Sequence, residues 1–470
     1  MSKASPCRTL PALSFALSAG LACFALAAFA PQLLNDGDTY WHIRAGEWML
    51  AHHEVLRWDI FSYTLAHAPW HTQEWLAEIF MALAWIAGGW AGIHLLFAIS
   101  IGLTAAIVGL FVRKRLDMTS ALLTVALGLC CISGSLLARP HLLTLPLLAI
   151  WTCSLVAARE QNKAPPIWLI AVILLWANLH GSFIFGLAMA GALAVEAVVE
   201  AEDRRKEALG WGLFLAAALM LSMATPFGHQ TLVFPFQLSA MQGLNYIGEW
   251  QASDFSRLSP FAIALLTALY VFGSGRVKVP PLRLLIVLGL VYLALAHARH
   301  QALLGVTGPI LLTPALGRPW PANDQAKSPL LALMATLLAV ALIPLRLMIP
   351  IVPADGPRAP VSALAHVPQA LRQAPVFNDY SFSGYLIWKG VKVFIDSRAD
   401  FYGDDFLKNY AAITAPNRDQ LAANLARYDV RWTIFTQDTP MVKLMDVMPG
   451  WRRLYSDHIA VVHVREAVQP

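Results

Sequence analysis

The chain has 470 residues, of which 57% are hydrophobic and only 13% charged, against about 25% charged residues in an ordinary soluble domain. That balance excludes a soluble globular protein and points to a polytopic membrane protein. The formal net charge of +5 is no sign of nucleic-acid binding, because the basic residues fall in short clusters between apolar runs, the pattern that orients membrane proteins.

The N-terminus, MSKASPCRT, is basic and leads into an apolar run over 10–34. It is long enough to span a bilayer and reads as an uncleaved first helix with its N-terminus in the cytoplasm. The stretch 35–78, NDGDTYWHIRAGEWMLAHHEVLRWDIFSYTLAHAPWHTQEWLAE, then lies outside. It is the longest polar and aromatic interruption in the first half of the chain, with acids at Asp36, Asp38, Glu47, Glu54, Asp59, Glu74 and Glu78, five His and five Trp.

From 75 to 112 the chain is again apolar, too long for one span, with a slight break at Gly88 and Gly89. If both halves crossed, Arg113, Lys114 and Arg115 would be left outside. An interfacial helix over about 72–87 and one span over about 92–112 keep those bases cytoplasmic. Further spans follow at about 118–137, 141–158, 165–178, 182–200, 208–224, 260–274, 282–297, 302–316 and 329–349. That makes about 11, several shorter than the roughly 20 residues a crossing needs. In this register Arg159 with Lys163, Arg204 to Lys206, Arg276 with Lys278 and Arg283, and Arg318 with Lys327 are cytoplasmic. The outer side receives the first loop, Arg139 and His141, 178–182, 225–259, 297–300 and everything after about 350.

Pro350, Pro353, Pro357 and Pro360 mark a linker into a more charged segment. There VKVFID (391–396) and RWTIFT (431–436) read as short strands and 418–428 as a helix. The expected architecture is a transmembrane domain over 1–349, with its first outer loop at 35–91, and a small α/β extracytoplasmic domain over 350–470. The five cysteines, Cys7, Cys23, Cys130, Cys131 and Cys153, form no CxxC pair and lie in or beside apolar segments, so neither a disulfide framework nor a cysteine metal site is indicated.

Asp36 and Asp38 leave the first span together. They suit a general base or a divalent-cation site, and Asp-Gly-Asp suits a turn or helix cap equally well. Arg139, Arg299, His141, His297 and His300 are candidate phosphate binders at span ends, the arginines foremost because a guanidinium pairs bidentately with phosphate; snorkelling to head groups is the alternative. Asn178, His180 and Glu249 fall on the same side. The C-terminal acids Asp379, Asp396, Asp400, Asp404 and Asp405 read as turn caps before ligands. No P-loop, dinucleotide fingerprint, HExxH or nucleophile elbow is present in a fitting context.

This layout resembles the GT-C fold glycosyltransferases, which use polyprenyl-phosphate sugars as donors. The matching pieces are Asp36 and Asp38 after the first span, WHTQEWLAEIFMALAWIAGG at the place of that family's second juxtamembrane helix, the next span ending in RKR, and ARPH after the one beyond. DGDTYWHIRAGEW, DIFSYT, HTQEWLAE and VFNDYSFSGYLIW with FIDSRADFYGD are further similar to a bacterial group of uncharacterised membrane proteins usually placed with such enzymes. Where protein mannosyltransferases and lipid A aminoarabinose transferases carry a His/Lys-Pro-Pro-Leu pattern, this chain has His71-Thr72-Gln73-Glu74-Trp75, and Glu74 adds negative charge there.

The resemblance implies an inner-membrane glycosyltransferase acting at the periplasmic face on a glycan, lipid or protein acceptor. Asp38 or Asp36 would be the general base, Arg139, Arg299 and His300 would hold the donor phosphate, and Trp41, His42, Glu74, His141, His180 and Glu249 would line the substrate pocket, with a divalent cation left open. A transporter or flippase of an anionic saccharide lipid is the rival, and would show ionisable groups in mid-span and paired halves. A non-catalytic assembly or sensor protein would tolerate loss of both Asp36 and Asp38.

Overall fold

The computed structural model describes residues 9–275, 277–317, 329–351, 354–415 and 417–466. The basic N-terminus up to residue 8 with Cys7, and Arg276, Arg318, Lys327 and Pro353, lie outside the described residues. The chain is mostly helical, with a small sheet near its C-terminus. Its long helices are α1 (Thr9–Phe29), α2 (Asp38–His52), α3 (Trp75–Arg113), α4 (Met118–Ile132), α5 (Pro140–Glu160), α6 (Leu169–Leu179), α7 (Phe183–Glu200), α8 (Arg204–Ser222), α9 (Gln230–Ser239), α10 (Pro260–Gly273), α11 (Pro281–Ala296), α12 (Gln301–Leu316) and α13 (Pro329–Met348).

Among the described residues five segments are long and apolar enough to cross a membrane: Pro11–Phe29, Trp75–Arg113, Met118–Ser135, Pro140–Glu160 and Phe183–Glu200. Leu169–Leu179, Pro260–Gly273, Pro281–Ala296 and Thr336–Met348 are apolar but shorter. The break expected at Gly88 and Gly89 is a kink inside α3, with Gly89 at φ 54°, ψ −140°, a conformation only glycine adopts cheaply. The first loop is not irregular throughout, since its beginning coils into α2.

By contacts the chain divides into two compact units that interleave along the sequence. The first comprises Met1–Leu33, Ala87–Phe236 and Asn245–Ile349; the second comprises Leu34–Ile86, Gln237–Leu244 and Pro350–Pro470. The first loop therefore packs with the C-terminal segment, whereas the sequence suggests it belongs with the apolar helices.

In the first unit, small residues bring helices into close contact. A Cβ at Gly128 in α4 would lie 2.6 Å from the Gly305 carbonyl of α12, and one at Gly305 would lie 2.6 Å from the Gly128 carbonyl. Backbones this close gain dispersion contact where no hydrophobic drive separates helix from lipid. Large aromatics fill the remaining space with their polar atoms satisfied: Trp151 donates to the Gly186 carbonyl at 2.8 Å, and Trp176 to Ser182 Oγ at 2.9 Å. Glu196 of α7 is buried in a fork from Arg283 of α11, at 2.7 and 2.5 Å.

The second unit carries strands β1 (Val376–Asn378), β2 (Trp432–Thr436), β3 (Trp451–Ser456) and β4 (Ala460–Arg465), with short helices α14 (Val361–Ala365), α15 (Gln369–Arg372), α16 (Ser383–Trp388), α17 (Ala399–Thr414), α18 (Arg418–Arg427) and α19 (Pro440–Met445). Sheet order is β1-β2-β4-β3, parallel between β1 and β2 and antiparallel elsewhere. RWTIFT supplies β2 and 418–428 supplies α18, as the sequence suggests. VKVFID is no ladder strand: it makes one isolated parallel bridge, Ser62 to Val393, and the Phe394 N–H goes to Asn378 Oδ1 at 2.8 Å. It is buried at Val391 and from Val393 to Asp396, with only Lys392 exposed, and that burial needs no neighbouring strand.

Candidate functional site

Seven of the residues singled out in the sequence come together in the first unit. Arg139 precedes the proline that opens α5, and is extended at φ −123°, ψ 158°, as a residue before proline prefers. Its side chain leaves the helix start and donates from Nη1 to Glu249 Oε2 at 2.6 Å. Glu249 sits in a single 3-10 turn, Gly248–Trp250. Its other oxygen, Oε1, faces Arg299 Nη1 at 3.5 Å, from the turn Ala298–His300 that joins α11 to α12. The two turns are tied together, with Ala298 N–H donating to the Gln251 carbonyl at 3.0 Å and His297 Nδ1–H to the Trp250 carbonyl at 2.6 Å. Trp250 also lies under the Arg299 guanidinium at 4.2 Å, a cation–π contact that holds the head group in place.

Histidines surround this ion pair. His300 packs edge-on against Phe185 at 5.0 Å and His297 at 5.5 Å. His141 and His180 have ring centres 6.2 Å apart. His141 Nε2–H donates to the Ser135 carbonyl at 3.0 Å, and His180 Nδ1 accepts the Ser182 N–H at 3.0 Å. Burial, helped by His141 and Arg299, pulls His180 well below the usual imidazole range. Burial with Arg299 and His297 brings His300 down to about 4. Both are neutral near pH 7. Burial pushes Glu249 up, but Arg139 and Arg299 outweigh it and hold the carboxyl below its usual range. Arg139, Arg299 and Glu249 therefore sum to one positive charge, a disposition that suits an anion.

The remaining candidates belong to the second unit. Asp36 is only 3% exposed, and its Oδ1 accepts the Asp38 N–H at 3.0 Å. It closes the start of α2, the capping role that the Asp-Gly-Asp spacing allows. Asp38, half-buried, is the first residue of that helix, where a carboxylate also complements the helix dipole. One turn on, the Trp41 ring lies tilted against His42 with centres 3.6 Å apart and donates to Ser397 Oγ at 2.9 Å. His42 Nδ1 meets Glu78 Oε1 at 3.0 Å, and Nε2 lies 3.6 Å from Glu74. Glu78 is 1% exposed. Glu74 thus takes part in a carboxylate–histidine–carboxylate line.

A second cluster in this unit was not legible as one. Arg398, 2% exposed, donates to Asp59 at 2.6 Å and to Asp396 at 2.8 and 2.7 Å, under the faces of Trp70 and Phe401 at 4.4 and 4.7 Å. Asp59 in turn accepts from the Phe61 and Ser62 N–H groups and the Ser62 hydroxyl. Asp400 beside it is pushed up to about 6 by burial, against the pull of Arg398. The sequence signals were an Asp three residues before a Ser and an Asp two residues before an Arg, both commonplace in turns. Among the described residues no group of three or more His, Cys, Asp or Glu is disposed to hold a metal ion.

No protein-family model and no curated protein matches the sequence.

Proposed function

We propose that the chain is a membrane glycosyltransferase that moves a sugar from a polyprenyl-phosphate donor to an acceptor hydroxyl at the periplasmic face of a bacterial inner membrane. In this reading α1, the second half of α3, α4 to α8 and α10 to α13 are eleven spans. The observation that carries it is the Arg139–Glu249–Arg299 cluster with its neutral histidines. Two guanidiniums at helix starts, one stacked on Trp250, suit the phosphate of a lipid donor. As the acceptor oxygen bonds to C1, the C1–O bond to phosphate breaks and its electron pair leaves with the phosphate. Cationic neutralisation of that charge is the larger part of what such a reaction needs.

The acceptor's proton is assigned to Asp38, since Asp36 is engaged in capping. The buried ion pair Glu196–Arg283 lies toward helix ends, not in mid-span as a transport path would place it, which supports the enzyme over the transporter. The test is a sugar-transfer assay in membranes supplied with polyprenyl-phosphate sugars. Arg139→Ala and Arg299→Ala should each lower transfer by about 10²-fold, the scale for losing a charge-stabilising group. Wild-type transfer in both variants would sink the proposal.

A further inference from the structure

We propose that Glu249 is an exchangeable counter-ion. Its carboxylate fills an anion position between Arg139 and Arg299 and gives way to a phosphate monoester dianion, so that the arginine pair discriminates monoester from diester phosphate. This rests on the phosphate reading of the cluster and deepens it.

The geometry is that of a bridging anion: one carboxylate oxygen for each guanidinium, at 2.6 and 3.5 Å. Phosphate oxygens bridge guanidiniums in the same way. Among the described residues Glu249 has no hydrogen-bond or ion-pair partner besides these two arginines. All three side chains keep access to the outside, at 24% exposed for Arg139, 26% for Arg299 and 31% for Glu249, so the carboxylate can swing out without rearranging the core. Its turn stays anchored through Gln251 and the Trp250 carbonyl, and Arg299 stays seated on the Trp250 ring.

Charge then decides which ligand can exchange. A phosphodiester carries one negative charge, and replacing one monoanion by another gains little. A monoester with its second pKa near 6 brings a second charge to a pair of cations that have just lost their carboxylate. In the transfer reaction the intact donor is a diester and the departing lipid phosphate is a monoester. A clamp guarded by Glu249 thus favours the charge that develops as the C1–O bond breaks over the charge of the bound donor, which is where binding energy accelerates a reaction. The monoester could be the head group of a lipid or a free phosphate.

The full chain in neutral detergent, at slightly alkaline pH, is titrated calorimetrically with inorganic phosphate, with phosphatidic acid as monoester lipid and with phosphatidylglycerol as diester lipid. Wild type should prefer phosphatidic acid to phosphatidylglycerol by about tenfold or more, the worth of one charge-assisted hydrogen bond. Glu249→Gln should tighten the diester by a similar factor and so narrow that ratio, and Arg139→Ala/Arg299→Ala should lose all three ligands. Phosphatidic acid binding above inorganic phosphate identifies a lipid ligand and equal binding a free one; both sustain the exchange. The inference is overturned if Glu249→Gln keeps the wild-type ratio or weakens every ligand. If neither protein binds any phosphate, the phosphate reading falls and takes the inference with it. Should Glu249→Gln not fold, the wild-type ratio decides alone, and a value near one overturns the exchange.

Discussion

Arg398 Nη2 lies 2.6 Å from Asp59 Oδ1, a carboxylate 339 positions earlier in the chain, and both side chains are buried. With Asp396 on its other side, the guanidinium is the only cation bonded to two carboxylates in the second unit's described core. Arg398→Gln strips both acids of their partner and should destabilise this unit by about 3–5 kcal/mol, the cost of leaving a buried charge unpaired. Arg398→Lys should recover little, because an ammonium cannot fork to two acids or stack on Trp70. Limited proteolysis and thermal melting of the purified protein read this out.

Asp36 and Asp38 should separate cleanly. Asp36→Asn keeps an oxygen able to accept the Asp38 N–H and should preserve stability and transfer, whereas Asp36→Ala loses the cap and should cost about 1 kcal/mol. Asp38→Asn should lower transfer by about 10²- to 10⁴-fold with an unchanged melting temperature, as removal of a general base does. If Asp38→Asn transfers sugar at the wild-type rate, the base assignment fails.

Asp400, held up at about 6 by burial, keeps a proton in the folded state that the unfolded chain has released. Its ionisation therefore costs stability as pH rises from about 4 to 6, and the cost is constant above that. Asp400→Asn should melt higher than wild type at pH 7.5, and the gap should close toward pH 4. His71, brought down to about 4 by burial and Arg57, works in the opposite sense, losing stability as pH falls. Only the difference between wild type and Asp400→Asn at each pH isolates the carboxyl. A gap that does not change with pH would refute the assignment.

Gly128 and Gly305 face each other so closely that neither tolerates a side chain. Gly128→Ala should force α4 from α12 and lower the melting temperature of the first unit, and Gly305→Ala should do the same. In the double variant the losses should fall short of additive, because one displaced contact serves both.

Local physics made much of this legible. The helices follow the apolar runs within a few residues, and the α3 kink falls where two glycines interrupt one. Arg139, His141, His180, Arg299 and His300 were traceable because polar groups at the ends of apolar helices are conspicuous and few, and Glu249 because it is an acid in a loop on the same side. Asp379 and Asp404 are caps or turn ligands, to Ser381 and to the Gln242 and Gly243 N–H groups, as their residue type suggests. What escaped is non-local. Asp396 accepts the Arg398 N–H as a turn cap does, but it also holds the Arg398 guanidinium, and that guanidinium draws in Asp59 from the far end of the chain. VKVFID reads like a strand because it is mostly apolar and buried at every position but Lys392, yet its backbone pairs at one point only. No spacing rule reaches across 339 positions.

That separation sets a timetable for biosynthesis. At roughly 5–20 residues per second, Asp59 leaves the ribosome about 20 to 70 s before Arg398 does. During that interval the apolar helices from α3 to α13 are made, while residues 34–86 carry Trp41, Phe61 and Trp70 before the C-terminal segment of their unit exists. A chain stopped near residue 350 would present this stretch permanently as a substrate for quality-control proteases. The C-terminal segment completes a fold that the second helix began.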